Sequence, residues 1–129
     1  MSGDHAEIVS FLKNYFDGFY EGDVDKLKSV FNPACHLYTA TVTPMMDSEM
    51  ESVYGRVVSR TIPSERGDPK DDGILTIDQS GPECAFAKVY ICLGDQHYID
   101  YLTLVKVDGA WSIITKTFTA QPRDGVAPL

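Results

Sequence analysis

The chain has 129 residues, 43% hydrophobic and 23% charged, which is typical of one globular domain, so we expect a single domain spanning residues 1–129. Its 19 acidic and 11 basic residues give a formal net charge of −8, and such a field repels nucleic acid and anionic lipid, so neither is an expected partner. The three cysteines form no CxxC spacing, and the sequence has neither a signal-peptide pattern nor an apolar run near the ~18 residues of a membrane span, so we expect a cytoplasmic protein.

The N-terminal third has the pattern of two helices. Apolar residues recur at helical spacing over residues 4–21, which predicts an amphipathic helix with Asp4 as its N-cap. Asp23 can cap a second, short helix that ends at Asn32-Pro33, because proline interrupts helical hydrogen bonding.

The next segments predict a strand, a third helix and a loop. Residues 35–42 are rich in β-branched and aromatic side chains and predict a strand. Helical spacing returns over residues 47–60, where Ser48 and Glu51 could form a capping box. Residues 61–73 combine prolines, glycines and charges without periodicity, which indicates a long loop.

The C-terminal half has the alternation of an antiparallel sheet. Tight turns at Gly94-Asp95 and Asp108-Gly109 separate alternating runs. Strands are predicted near residues 74–80, 83–93, 96–107 and 110–119. The chain is therefore expected to be an α+β protein, with three N-terminal helices packed on a curved, mostly antiparallel β-sheet.

The two turns fix a register, which pairs Val89 with Asp100 and Asp100 with Thr117. One face of the sheet is then almost entirely apolar, and Asp100 is the exception. A carboxylate on a covered face is costly unless it is hydrogen-bonded or protonated, so Asp100 is either a pocket residue that acts as acid, base or ligand anchor, or a structural residue bonded to Thr117 or to a helix tyrosine. A single β-bulge would exchange the faces beyond it.

The opposite face is unusually aromatic for a solvent surface, which is typical of an interface. We therefore predict a homodimer through this outer face, formed by Phe86, Tyr90, Tyr101, Ile114 and Phe118. Lys88 and Lys116 fall on the same face in this register, where they are interpreted as salt-bridged or solvated lysines in preference to an anion site.

Residues at both ends of the chain carry a resemblance to a known superfamily. They are Tyr15-Phe16, Gly18, Gly22-Asp23, Leu27, Phe31 and Pro33, and then Asp100-Tyr101-Leu102, Leu104, Lys106, Gly109, Trp111, Ile113 and Lys116. With this order of elements, almost the whole chain resembles the nuclear transport factor 2-like proteins, which include ketosteroid isomerase and polyketide-cyclase-like proteins. Within that superfamily it is most similar to the putative lumazine-binding branch. The resemblance implies a cone with a cavity between the sheet and the helices.

The resemblance also implies candidate roles. Ketosteroid isomerases use a tyrosine of the first helix and an acid of a sheet strand as an oxyanion hole, and Tyr15 and Asp100 are similar in type and location. Those enzymes also need a carboxylate on the strand after the second helix, and residues 36–39 contain none. The polyketide-cyclase-like histidine could be His36 only if it faced inward, and the alternation of this strand indicates that it does not.

Two functional hypotheses follow. The first is a small-molecule-binding protein, either a binder or an enzyme of the isomerase, cyclase or dehydratase type, in which Asp100 is the acid or base and Tyr15 a hydrogen-bond donor. The predicted ligand contacts are Thr39, Tyr54, Tyr98 and Trp111. The second is a non-catalytic ligand-binding or dimerisation module, in which the interior is packed shut.

Other site chemistry has little support in the sequence. The histidines have no metal-ligand spacing, so no metal site is expected, and the absence of a P-loop and of GxGxxG gives no reason to expect a nucleotide cofactor. Arg56 and Arg60 are either solvated, which the sequence favours, or placed beside the cavity for an anionic ligand.

Overall fold

The computed structural model describes residues 2–123. It is an α+β protein with four helices and six strands in this range. The helices are α1 (Ser2–Glu21), α2 (Val24–Lys28), α3 (Met50–Ser59) and α4 (Pro63–Arg66). The strands are β1 (Phe31–Thr39), β2 (Met46–Glu49), β3 (Asp72–Ser80), β4 (Cys84–Leu93), β5 (Gln96–Val107) and β6 (Ala110–Pro122).

The strands form one curved, open sheet in the order β2-β1-β6-β5-β4-β3. All neighbours are antiparallel except β1 and β6, which run parallel. The helices cover one side of this sheet, called here the inner face, and the buried core lies between them. None of the helices in residues 2–123 is long and apolar enough to cross a membrane.

Helix α1 packs through the apolar stripe that its spacing predicts. Ile8, Leu12 and Tyr15 have no exposed surface. The helix begins before Asp4, whose carboxylate is therefore no N-cap but binds Gln79 and Lys106, with Oδ2 3.0 Å from Gln79 Nε2 and Oδ1 3.2 Å from Lys106 Nζ. These contacts anchor the start of α1 to β3 and β5.

The second helix is shorter than predicted, and the first strand begins earlier. Asp23 is its N-cap and accepts a hydrogen bond from the Lys26 amide, but α2 ends at Lys28 instead of Asn32-Pro33. Strand β1 already starts at Phe31, and its pairing with β6 is irregular between Phe31 and His36. A proline within that irregular stretch removes no ladder hydrogen bond, which explains why a strand contains it.

The sequence did not predict strand β2. Residues 46–49 pair with the end of β1, and α3 begins only at Met50. Ser48 is consequently a strand residue, and the predicted capping box is wrong, because the N-cap of α3 is Glu49 and makes no side-chain capping bond. The predicted 61–73 loop contains the single turn α4.

The hairpin register is confirmed in β4 and β5 but not along all of β6. Leu93 pairs with Gln96, and Val89 pairs with Asp100. In β6 a bulge leaves Ile114 as an extra residue opposite Thr103 and Leu104, so Asp100 pairs with Phe118 instead of Thr117.

This bulge corrects the predicted outer face. A one-residue slip turns every later side chain of the strand to the other face. Lys116 and Phe118 therefore lie on the inner face, and the prediction that they belong to the outer face is wrong. Phe86 and Tyr101 remain outside, with their rings stacked 5.8 Å apart.

Close packing of α1 on α2 yields the first prediction. A Cβ at Gly18 would lie 2.6 Å from Leu27 Cδ2, whereas a Cβ at Gly55, on the exposed side of α3, would meet nothing within 4 Å. We expect Gly18→Ala to lower the free energy of unfolding by about 1–3 kcal/mol through overpacking. The matched control Gly55→Ala should raise it by about 0.5–1 kcal/mol, since alanine favours a helix. Urea unfolding of both variants measures the difference, and equal stability would contradict the tight α1–α2 contact.

Candidate functional site

A cavity of about 380 Å³ lies between α3 and the inner face of the sheet. Its walls are mainly apolar and come from α1, α3, β1, β4 and β6: Phe19, Leu37, Val53, Val57, Ile91 and Phe118. Alternation along the strands explains why these residues share one surface, because every second side chain of a strand points to the same face. The arrangement gives a cavity with a mainly apolar floor, and polar and charged side chains complete its lining.

Lys116 is the charged residue set deepest in the cavity wall. Its side chain is only 7% exposed, yet it lines the cavity. The Nζ atom lies 4.6 Å from the ring centroid of Phe19 and 5.1 Å from that of Phe118. Aromatic faces at these distances attract an ammonium group, so the rings hold the charged end of Lys116 at the cavity.

Asp100 and Tyr15 form a buried pair next to Lys116. The Tyr15 hydroxyl donates a hydrogen bond of 2.5 Å to Asp100 Oδ2, and the same oxygen lies 3.6 Å from Lys116 Nζ. Neither Asp100 nor Tyr15 has exposed surface or lines the cavity. Within residues 2–123, Asp100 Oδ1 has no hydrogen-bond partner. Lys116 is therefore the member of this trio that a ligand in the cavity would meet.

The electrostatics of the trio follow from burial. Burial lowers the pKa of the Lys116 ammonium, an effect that the Asp100 carboxylate opposes and that Arg60 reinforces. Burial, followed by the Asp100 charge and hydrogen bond, raises the pKa of Tyr15 well above its usual range. Tyr15 is thus a lasting hydrogen-bond donor, while Lys116 gives up its proton more readily than an exposed lysine.

Two arginines add positive charge to the cavity lining. Arg56 lies in the last turn of α3, and Arg60 follows that helix, with its guanidinium carbon 5.9 Å from the Phe19 ring centroid. Among the described residues, neither arginine forms an ion pair, and the cavity lining includes no aspartate or glutamate. The cavity is therefore electropositive in a chain whose formal net charge is −8.

The predicted ligand-contact residues lie in different parts of the structure. Thr39 and Tyr98 line the cavity. Tyr54 borders a separate depression of about 270 Å³ near Lys28. Trp111 is buried in the core beside Lys106, whose Nζ lies 5.6 Å from the indole ring. His36 points away from the cavity and pairs with Asp47, with 2.6 Å between Nδ1 and Oδ1.

Sequence reasoning missed Lys116 because it placed this residue on the outer face. One signal could have found it. At the start of β6 the apolar residues that face inward have odd numbers, Trp111 and Ile113, whereas from Phe118 onward they have even numbers. The pair Ile113-Ile114 marks the point where the parity changes. Such a change of parity within one strand is the mark of a bulge.

The comparisons with known proteins give the family. A model of the family described as putative lumazine-binding matches residues 3–119. The chain belongs to this family. No curated protein is significantly similar to it in sequence.

Solved structures agree with this assignment at the level of the fold. A protein of unknown function from Shewanella baltica OS155, described as NTF2-like, superposes with a TM-score of 0.84 at 20% identity, over 94% of this chain and 96% of that one. A similarly described protein from Silicibacter pomeroyi DSS-3 gives 0.80 at 15% identity, over 94% and 99%. A domain of unknown function with a cystatin-like fold from Nostoc punctiforme PCC 73102 gives 0.73 at 14% identity, over 94% and 79%. The resemblance inferred from the sequence is thus confirmed: this member of the putative lumazine-binding family has the nuclear transport factor 2-like fold.

The trio leads to a prediction about protonation. We expect Lys116 to titrate at lower pH than the exposed lysines, because burial disfavours its ammonium form. Asp100→Asn should lower the midpoint further, since it removes the carboxylate charge that stabilises the ammonium. Nuclear magnetic resonance of lysine-labelled protein, following Lys116 Cε against Lys88 Cε, measures both midpoints. A Lys116 midpoint equal to that of Lys88, unmoved by Asp100→Asn, would contradict the geometry.

Proposed function

We propose that this protein binds a small, flat and largely apolar organic molecule that presents an anionic or carbonyl oxygen to Lys116. The observation that carries this proposal is the cavity lining, which combines apolar and aromatic walls with three cations and, among the described residues, no acid. Its volume of about 380 Å³ falls within the range of about 300–1,000 Å³ that is usual for small-molecule pockets.

Polar groups in the lining support this ligand chemistry. Lys116 can donate a charge-assisted hydrogen bond from a buried position, where such a bond is stronger than in water. Thr39 and Tyr98 add hydroxyl groups to the same lining, and Arg56 and Arg60 add positive charge for an acidic substituent. Lumazine, the ligand in the family's description, is a flat bicyclic dione and has the required shape and oxygen acceptors.

Asp100 and Tyr15 take a supporting role in this proposal. The two residues contact each other, and neither lines the cavity. We therefore assign them the role of positioning Lys116. An isomerase-, cyclase- or dehydratase-type reaction remains the enzymatic form of the proposal. The alternative, non-catalytic ligand binding, needs only the same cavity and the same donor. The expected cytoplasmic location stays a prediction from the sequence.

Fluorescence titration with 2-naphthoate, a flat fluorescent carboxylate, tests the proposal. We expect saturable binding that weakens when Lys116 is replaced in the double variant Asp100→Asn/Lys116→Met, which removes the buried pair without leaving an unpaired charge. Loss of one charge-assisted hydrogen bond predicts an affinity about 10- to 100-fold lower. Lumazine, titrated in the same way, tests the ligand that the family description suggests.

The matched control is Lys13→Met, which removes an exposed lysine of α1 and should leave affinity unchanged. Equal affinities of the double variant and of Lys13→Met would show that binding does not involve Lys116. Absence of saturable binding of either ligand to the native protein would overturn the proposed function.

We also propose that two copies of the chain associate through the outer face of the sheet, at Phe86, Tyr90, Tyr101 and Ile114. Tyr101 is 47% exposed, stacks on Phe86 and has Lys88 Nζ 5.6 Å from its ring centroid. Phe118, which the sequence included in this surface, is excluded because it lines the cavity. An aromatic group exposed on the broad face of a sheet is typical of an interface.

Sedimentation equilibrium measures this association. Tyr101→Glu should shift the protein to monomer, because the dimer would bury an added carboxylate from each copy at the interface. Val58→Glu is the control, as Val58 is 66% exposed on α3, away from the sheet face. A native protein that is monomeric, or a Tyr101→Glu dimer as stable as that of Val58→Glu, would contradict the proposal.

A further inference from the structure

Lys116 brings an amine, and not only a charge, to the cavity. It is the one lysine among the described residues that line it. Exposed lysines differ sharply in setting, as in Lys13, whose side chain is 75% exposed. A buried amine beside aromatic rings is the setting in which lysine acts as a nucleophile toward carbonyl groups.

We propose that Lys116 forms an imine with an aldehyde or ketone carbonyl of a ligand bound in the cavity. The inference rests on the proposed function in one respect, which is that small molecules enter the cavity. It goes beyond that function because it assigns a covalent bond and a ligand class. Lumazine carbonyls belong to amide-like groups, which do not form imines, so the proposed ligand class is distinct from the lumazines.

The step balances without any other reactant. The Lys116 ammonium releases a proton to solvent, and the freed Nζ lone pair attacks the carbonyl carbon to form the C–N bond. A proton then moves from nitrogen to the former carbonyl oxygen. A proton from solvent then reaches this hydroxyl group, the C–O bond breaks, water leaves, and the nitrogen lone pair forms the C=N bond. One ammonium and one carbonyl compound become one iminium and one water, with no change of charge.

The groups around Lys116 Nζ stabilise both the reactant and the product of this step. The iminium product carries the same positive charge as the ammonium, so the Asp100 carboxylate and the rings of Phe19 and Phe118 stabilise both. Burial disfavours the charged ammonium form of Lys116, which brings the neutral amine within reach. The lowered pKa of Lys116 agrees with this argument.

The other ionisable groups near Nζ do not compete with this chemistry. Tyr15 keeps its proton because its pKa is raised, and it holds Asp100 Oδ2 in place through its hydrogen bond. Cys35, the second buried nucleophile nearby, has its pKa raised by burial to about 12 and remains a thiol. Arg60 contributes only a positive charge, which further favours the free amine of Lys116.

Reductive trapping at neutral pH tests the proposal. The native protein is incubated with 4-carboxybenzaldehyde, whose carboxylate suits Arg56 and Arg60, together with cyanoborohydride, which reduces an imine to a stable secondary amine. Peptide mass mapping then compares labelling rates among the lysines of one molecule. We expect Lys116 to be labelled at least about tenfold faster than any exposed lysine, because burial leaves more of it as the reactive free amine.

A carbonyl-free analogue separates this proposal from the proposed function. Excess 4-methylbenzoate has the same ring and carboxylate, and it should slow labelling of Lys116 without affecting the exposed Lys13. Its own binding is measured by displacement of 2-naphthoate. Binding of the analogue with no preferential labelling of Lys116 would overturn the imine and leave the proposed function intact. Neither binding nor preferential labelling would overturn both.

The comparison does not depend on a variant that folds. Selectivity is measured among lysines of the native chain, with each exposed lysine as an internal reference. Lys13→Met should retain the fast reaction at Lys116, whereas Asp100→Asn/Lys116→Met should retain only the slow surface reactions. Fast labelling that persists in the double variant would assign the reaction to another lysine and overturn the proposal.

Discussion

The bulge at Ile114 is the constraint on which the interior of this protein depends. Without the extra residue, Lys116 would turn to the outer face and Asp100 would be buried with the Tyr15 hydroxyl as its partner. An isolated buried carboxylate costs several kcal/mol, and removing one member of a buried ion pair costs about 3–5 kcal/mol. The local irregularity of β6 is thereby tied to the burial of Asp100 in β5, because it supplies the cation that the carboxylate needs.

The bulge, by turning the end of β6 to the inner face, also determines the charge and the aromatic lining of the cavity. Phe118 turns inward with Lys116, so the cation and one of the rings that contact it arrive together. Arg56 and Arg60 come from a different part of the chain, and the lining becomes positive while the chain as a whole carries a formal net charge of −8. Low-dielectric walls concentrate such a local field, so the cavity can favour an anion that the rest of the surface repels.

Much of the fold could be predicted because its signals are local. Periodicity located α1, and the turns at Gly94-Asp95 and Asp108-Gly109 located the hairpins and paired Val89 with Asp100. The elements that were missed depend on contacts distant in sequence. Strand β2 is four residues long and exists only as the neighbour of β1, and Pro33 fits within β1 because β6 leaves it unpaired there.

The candidate site could also be predicted from the sequence in part. Asp100 stood out as the one acid on an apolar face, and a helix tyrosine was among its possible partners; Tyr15 holds that place. Lys116 could not be assigned by alternation alone, since alternation assumes an unbroken ladder and the bulge breaks it between Asp100 and the final turn. Because the side chain of Lys116 was predicted to point to the wrong face, the ammonium group that borders the cavity was not recognised.

Lysine at position 116 has chemical properties that an arginine at this position would lack. A guanidinium remains protonated under all ordinary conditions and prefers to bind carboxylates as a planar fork, whereas an ammonium is compact and loses its proton when it is desolvated. Nζ lies 4.6, 5.1 and 5.2 Å from three ring centroids, those of Phe19, Phe118 and Tyr15, and 3.6 Å from one oxygen of Asp100. Rings and carboxylate favour the charged form, and burial favours the amine. Because these opposing effects act on one atom at the cavity surface, a ligand that displaces water or adds negative charge there can change the balance between them.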